Sequence, residues 1–294
     1  MYSLLLLAAV GANLVTAAIP VLPGYTLTWS DDFDGINSDA PNASDWIMDV
    51  GTSYPGGAAS WGTGEIQTYT TQPGNVGLTG DGRLAITAVR DSAGAWTSGR
   101  VETQRMDFAA APGGKMRIQA SLAMPAVVGV DAIGYWPAFW ALGSDFRGNY
   151  QNWPGIGELD IMENVNGVDR VWGTFHCGTN PGGPCIETTG LGNNATCVGT
   201  SCLGNMHTYA VEVDRSVTPE EVRWLVDDVV YHRVTSDIPG LAPWAAAVDH
   251  GFFIIFNLAM GGQFPDNQYG SPTPLLTTLS GGVLFVDYVA VYNA

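Results

Sequence analysis

Gly157-Glu158-Leu159-Asp160-Ile161-Met162-Glu163-Asn164 sets three carboxylates among Leu, Ile and Met within one short run. The stretch is too apolar for a solvated loop and too charged for a core. Strand side chains alternate, so Glu158 and Asp160 face one side, and Leu159 and Ile161 the other. Strict alternation would then send Met162 to the acids and Glu163 to the core. One extra residue, a β-bulge near Ile161-Met162, returns Glu163 to the carboxylate face. Three acids on one side of a strand repel one another and push their pKa values apart. Carboxyls split in this way give one ionised and one protonated group at the same pH, as glycosidic-bond hydrolysis requires. An arbitrary Glu-x-Asp-x-x-Glu is more often a solvated strand face. Here the aromatic surroundings, Trp136-Pro137-Ala138-Phe139-Trp140 and Trp153-Pro154, favour a sugar cleft, because pyranose faces need flat apolar platforms beside carboxylates.

Outward from this segment the chain reads as all-β. Helical periodicity is almost absent, and 38 Gly and 17 Pro punctuate short β-prone runs, the pattern of a sandwich. From Gly114 to Met124, Lys115, Arg117, Gln119 and Ser121 alternate with Met116, Ile118, Ala120 and Leu122. From Thr208 to Asp214, Tyr209, Val211 and Val213 point inward. Val222–Val226 and Val229–Val234 form a hairpin about Asp227-Asp228. Arg83–Val89, Phe252–Leu258 and Val283–Tyr292 add further strands, and Phe252-Phe253-Ile254-Ile255-Phe256, apolar on both faces, belongs in mid-sheet. No repeat, charge run or low-complexity linker divides the chain. One sandwich or jelly roll with long loops is expected. The longest irregular piece, Gly178 to Asn205, holds all but one of the cysteines.

The first residues, Met1-Tyr2-Ser3-Leu4-Leu5-Leu6-Leu7-Ala8-Ala9-Val10 and then Thr16-Ala17-Ala18, resemble a secretory leader. Cleavage is expected after Ala18, leaving residues 19–294 as one domain. The apolar run is too short for a bilayer span and no second one follows, so neither a membrane anchor nor a GPI tail is expected. Asn42-Ala43-Ser44 and Asn194-Ala195-Thr196 are N-glycosylation triplets that agree with an extracellular destination. A net charge of −17 excludes the usual electrostatics of nucleic-acid binding. The four cysteines, Cys177, Cys185, Cys197 and Cys202, fit two disulfides in an exported protein. Three pairings are possible, and Cys177–Cys185 with Cys197–Cys202 closes the shortest loops. Zinc is the weaker alternative, since no Cys-x-x-Cys is present and only His176 and His207 are near.

Taken together, these residues resemble glycoside hydrolase family 16, whose signature is E-[hydrophobic]-D-x-x-E preceded by W-P-A-x-W. Here those are Glu158-Leu159-Asp160-Ile161-Met162-Glu163 and Trp136-Pro137-Ala138-Phe139-Trp140. Further matches are Trp61-Gly62-Thr63-Gly64-Glu65-Ile66-Gln67-Thr68-Tyr69-Thr70, Ser98-Gly99-Arg100, Asn257-Leu258-Ala259-Met260-Gly261-Gly262 and Val286-Asp287-Tyr288-Val289-Ala290-Val291-Tyr292. The resemblance spans nearly the whole chain after the leader. It implies a concanavalin-like β-jelly roll with a substrate cleft on the concave sheet, a retaining mechanism, and the bulged, laminarinase-like branch. By the same resemblance Glu158 is the expected nucleophile, Glu163 the acid/base, and Asp160 the acid between them, hydrogen-bonded to Glu158. His176 matches a cleft histidine. Trp136 and Trp140 are expected as sugar platforms on the non-reducing side, and Trp153 on the leaving-group side. Arg100, Glu65 and Asn257 are expected to meet hydroxyls, while Trp172 and Trp224 read as core aromatics. Asp287 matches a ligand of a structural calcium ion, and catalysis needs no cofactor. Asn164 departs from the Gly or bulky residue that many relatives carry after the acid/base.

The expected activity is that of a secreted, monomeric endo-β-glucanase acting on β-1,3- or mixed β-1,3/1,4-glucan. An endo-β-1,3-galactanase, a transglycosylase and a non-catalytic glycan-recognition sandwich are the alternatives, and intact glutamates speak against the last. The absence of G-x-S-x-G and H-E-x-x-H argues against a serine hydrolase and a zincin.

Overall fold

The computed structural model of the protein describes residues 18–294, so the expected leader lies outside the described residues except for Ala18. In chain order the strands are β1 (Thr26–Asp31), β2 (Trp46–Met48), β3 (Thr68–Tyr69), β4 (Val76–Leu78), β5 (Leu84–Arg90) and β6 (Trp96–Ser98). Then follow β7 (Arg100–Thr103), β8 (Lys115–Ala123), β9 (Tyr135–Gly143), β10 (Glu158–Glu163), β11 (Val171–His176) and β12 (Leu191–Ala195). The last are β13 (His207–Asp214), β14 (Glu221–Val226), β15 (Val229–Thr235), β16 (Phe252–Met260) and β17 (Gly282–Asn293). Two short helices, α1 (Leu241–Val248) and α2 (Gln263–Tyr269), flank β16.

The strands form two sheets of a jelly-roll sandwich. One has ten strands, in the order β15-β14-β13-β8-β17-β5-β6-β3, with β1 on β17 and β4 on β5. The other has seven, β12-β11-β10-β9-β16-β7-β2. Alternation sorts each strand between the shared core and an outer face. Met116, Ile118, Ala120 and Leu122 of β8 meet Phe139, Ala141, Leu159 and Phe256 of the opposite sheet in one apolar cluster. Every residue of β16 is buried, in agreement with its mid-sheet place between β9 and β7. The expected hairpin closes through Asp227 (φ 49°) and Asp228 (φ 62°), the left-handed pair that a two-residue turn demands.

Two disulfides are present, Cys177–Cys185 and Cys197–Cys202, and no cysteine is free among the described residues. The segment expected to be irregular contains a strand, β12, which pairs with β11 at the sheet edge. Its sequence, Leu-Gly-Asn-Asn-Ala, lacks apolar alternation because only its ends, Leu191 and Ala195, pack on the core while Gly192, Asn193 and Asn194 lie exposed at the edge. No helix among the described residues is long and apolar enough to cross a membrane.

Candidate active site

The β10 bulge lies where the acid spacing requires it. Against β9, Asp160 pairs with Trp140 and Met162 with Phe139, so Ile161 is the extra residue. Against β11, Asp160 pairs with Thr174 and Glu163 with Trp172. Consecutive Ile161 and Met162 therefore both enter the core, each at 0% exposure. Glu158, Asp160 and Glu163 share the outer face of the seven-stranded sheet. At the interruption, Trp224 reaches across the sandwich and donates its indole N–H to the Asp160 carbonyl at 2.8 Å. Gly173 makes room for it, since a Cβ there would sit 2.4 Å from Trp224 Cδ1.

Register places the remaining residues around the acids. His176 stands opposite Glu158, Thr174 opposite Asp160 and Trp172 opposite Glu163 on β11. On the other side, β9 presents Trp136, Ala138, Trp140 and Leu142, and β16 presents Asn257 beside Ala138. His176 Nε2 lies 3.2 Å from Asp160 Oδ2 and 3.9 Å from Glu158 Oε1. Donor atoms of Glu158, Asp160 and His176 all fall within 4.8 Å of one another. Glu163 accepts a 2.8 Å hydrogen bond from Trp136 Nε1.

These surroundings treat the two glutamates differently. Burial, then the charge of Asp160, pushes the Glu158 carboxyl up to about 8, and the His176 imidazolium works against that rise. Glu163 is held well above the usual carboxylate range by burial and by Asp160, while the Trp136 hydrogen bond opposes. Burial alone would depress His176, but hydrogen bonds to Asp160 and Glu187 outweigh it and keep the ring cationic well above its ordinary range. The site thus holds a protonated carboxyl at Glu163 and, beside a cation, the more readily ionised one at Glu158. Substituting His176 by Gln removes the cation that favours Glu158 ionisation, so the acid limb of kcat/KM should move to higher pH. A pH profile with an unshifted acid limb would contradict this electrostatic role.

The aromatic residues are disposed differently from the sequence expectation. Trp136 and Trp140 do share the outer face. Trp153 reaches the strands on both sides of the acids. It packs with Trp140 on the small cluster of Leu142, Phe253 and Ile255, and its ring lies 5.6 Å from His176. The aromatic across β10 is Trp172, half-buried rather than core, and both it and Trp136 meet Phe264 edge-on at 5.7 and 5.8 Å. Strand alternation from His176 would have found it, since Trp172 and Thr174 share the histidine's parity. Trp224 is a core residue as expected.

Arg100, Glu65 and Asn257 come together, though as a scaffold rather than as groups open to hydroxyls, each being at most 5% exposed. Asn257 Oδ1 accepts from Trp140 Nε1 at 2.8 Å, and its amide donates to Tyr69 Oη at 3.0 Å. Tyr69 in turn donates to Glu65 at 2.7 Å. The Arg100 guanidinium bonds Asp49 at 2.9 Å and lies between the rings of Trp61 and Trp140, at 4.6 and 4.8 Å. Trp140 is therefore fixed at its nitrogen and on one face. Asp160, expected to bond Glu158, bonds His176 instead and raises Glu158 through its charge. Asn164 is buried and donates to the Val168 and Arg170 carbonyls, at 2.6 and 2.7 Å, tying the turn from β10 to β11. Asp287 is half-buried at the β17 bulge; its charged neighbours, Arg83 and Asp81, pair with each other, and Ser121 bonds it. Among those side chains Asp287 is the one carboxylate not paired with a cation, a single contribution to the six to eight oxygens that a calcium ion draws from carboxylates, backbone carbonyls and water.

A family model described as "XgeA-like, catalytic GH16 domain" matches residues 114–209. The chain is 32% identical over 284 residues to a β-glucanase of Rhodothermus marinus, covering 92% of this chain and 86% of that protein. It is 30% identical over 252 residues to a glucan endo-1,3-β-glucosidase of Cryptopygus antarcticus, covering 82% of each. Among solved structures, the endo-1,3-β-glucanase of Streptomyces sioyaensis matches with a TM-score of 0.92 and 52% identity, over 94% of this chain and 99% of that one.

Proposed function

The chain belongs to glycoside hydrolase family 16, and on that premise we propose that it cleaves β-1,3-linked glucan internally, with retention of anomeric configuration. The observation that carries the residue roles is the β10 bulge, which puts Glu158, Asp160 and Glu163 on one face in unequal surroundings. Retention uses two carboxyls about 5–5.5 Å apart, one as nucleophile and one as acid then base. Glu158, beside the cation, attacks the anomeric carbon. Glu163, held protonated, donates its proton to the departing glycosidic oxygen, and a glycosyl–Glu158 ester forms. Glu163, now a carboxylate, takes a proton from water, which displaces Glu158 and restores both groups. Asp160 keeps His176 charged and in place through the 3.2 Å contact.

The sugar platforms support a polymer substrate. With Trp136 and Trp140 on the non-reducing side, Trp172 takes the leaving-group side, so sugars are held on both sides of the cleavage point. That disposition favours internal cuts, and secretion into an oxidising medium fits the two disulfides. Laminarin should yield a spread of oligosaccharides from the first minutes, with mixed-linkage glucan as a second substrate. Trp172→Ala should lower kcat/KM on laminarin roughly tenfold, the size of about 1.4 kcal/mol of lost stacking. An aryl glycoside, which places no sugar on that side, should be cut at nearly the wild-type rate. Release of glucose alone, or cleavage confined to β-1,3-galactan, would overturn the substrate assignment.

A further inference from the structure

Glu187 belongs to the loop between β11 and β12, yet its side chain is 0% exposed. A buried carboxylate costs several kcal/mol unless it is paired and hydrogen-bonded, so its partners carry information. Oε1 accepts from the Cys177 backbone N–H at 3.0 Å, and Oε2 lies 2.7 Å from His176 Nδ1. The opposite ring nitrogen faces Asp160 and Glu158. His176 is therefore a bridge, with the catalytic acids at one nitrogen and a loop residue at the other.

The loop is itself fastened at that point. Cys177, next to the histidine, is bonded to Cys185, two residues before Glu187. Gly182 and Glu187 exchange backbone hydrogen bonds at 2.6 and 2.5 Å, closing a small ring that overlaps the disulfide loop and ties Glu187 to it. Gly190 (φ +72°) lies so close that a Cβ there would come within 2.7 Å of His176 Cε1. A covalent staple, a backbone pair and a glycine contact all converge on one imidazole.

We propose that Glu187 is a positioning residue for the glycosidase reaction: anchored just beyond the Cys177–Cys185 disulfide, it fixes the His176 ring against Asp160 and Glu158. The proposal rests on the activity given above, and its test separates the two. The ionisable groups that bear on His176 are Glu158, Asp160 and Glu163 of β10 and Glu187 of the loop. Without Glu187 the ring keeps Asp160 at Nε2 but loses its partner at Nδ1. It is then free to turn, and its cationic form is weakened. Opening the disulfide should act in the same direction by loosening the anchor of Glu187.

The decisive variant is Glu187→Gln, which preserves shape and can still accept from the Cys177 N–H. It should lower kcat on laminarin ten- to a hundredfold, the scale for a misplaced catalytic group, with KM changed by less than about threefold. The His176 ring, followed by NMR, should titrate at lower pH than in the wild type. Cys177→Ser/Cys185→Ser should move both readouts the same way. Wild-type kcat together with wild-type His176 titration in Glu187→Gln would overturn the proposal. So would a variant whose only change is a lower Tm, because that marks a purely structural role. Should Glu187→Gln not fold, Glu187→Asp, which withdraws the charge by one methylene, is read in the same two measurements. Should the wild type cleave no β-glucan, the activity assignment fails, and the His176 titration alone decides for or against Glu187.

Discussion

Glu158→Gln is expected to lose turnover by about 10⁴-fold or more, equivalent to roughly 5 kcal/mol of barrier, while still binding laminari-oligosaccharides. The amide has nearly the shape of the acid but cannot form the glycosyl ester, so the reaction has no first step. Binding should survive because the aromatic side chains proposed as platforms, Trp136, Trp140 and Trp172, and the scaffold that fixes Trp140 are untouched. The comparison to make is single-turnover hydrolysis against calorimetric affinity. Hydrolysis near the wild-type rate would remove Glu158 from the nucleophile's place. Loss of affinity in parallel with rate would instead show that the residue serves binding.

The second large effect is expected at Glu163. Replacing it by Ala should cost 10²- to 10⁴-fold on glucan, the usual contribution of a general acid–base. An aryl glycoside with a good leaving group needs no proton to depart, so that variant should form the glycosyl–enzyme and then stall. Azide, which attacks without giving up a proton, should release it and leave a β-glycosyl azide. The product's anomeric configuration, read by NMR, carries the result. An α-azide would mean a single displacement and would exclude the double displacement proposed here, whereas no rescue by azide would point to another acid/base.

The legible part of this protein was the part governed by alternation. Residues of β8, β13, β14, β15, β16 and β17 alternate or run apolar, and each was read within a few residues of its ends. The bulge was legible for the same reason, because the acids and apolar residues of β10 are consistent only if one position is skipped. Strand β9 was harder, since Pro137 interrupts it and proline argues against a central strand. Helix α1 has eight residues with Pro243 in its first turn, and α2 has seven, too short for a periodic signal. In the site, what failed was what depends on distant pairs. Nothing local in Asn257 foretells its bond to Tyr69, 188 positions away, and nothing in Glu187 foretells His176. The family resemblance marked Arg100 and Glu65 as groups for hydroxyls; only the fold shows that they steady an indole.

The doubled core residue at Ile161-Met162 limits how this strand can change in evolution. Substitution at either position alters packing by a methylene or two. Loss or gain of a single codon between Asp160 and Glu163 would instead reverse the parity of everything beyond it. Glu163 would turn toward the apolar interior, and a hydrophobic neighbour would take its place over the sugar. Length is thus under tighter selection here than identity, and drift along this segment should proceed by replacement with the residue count held constant.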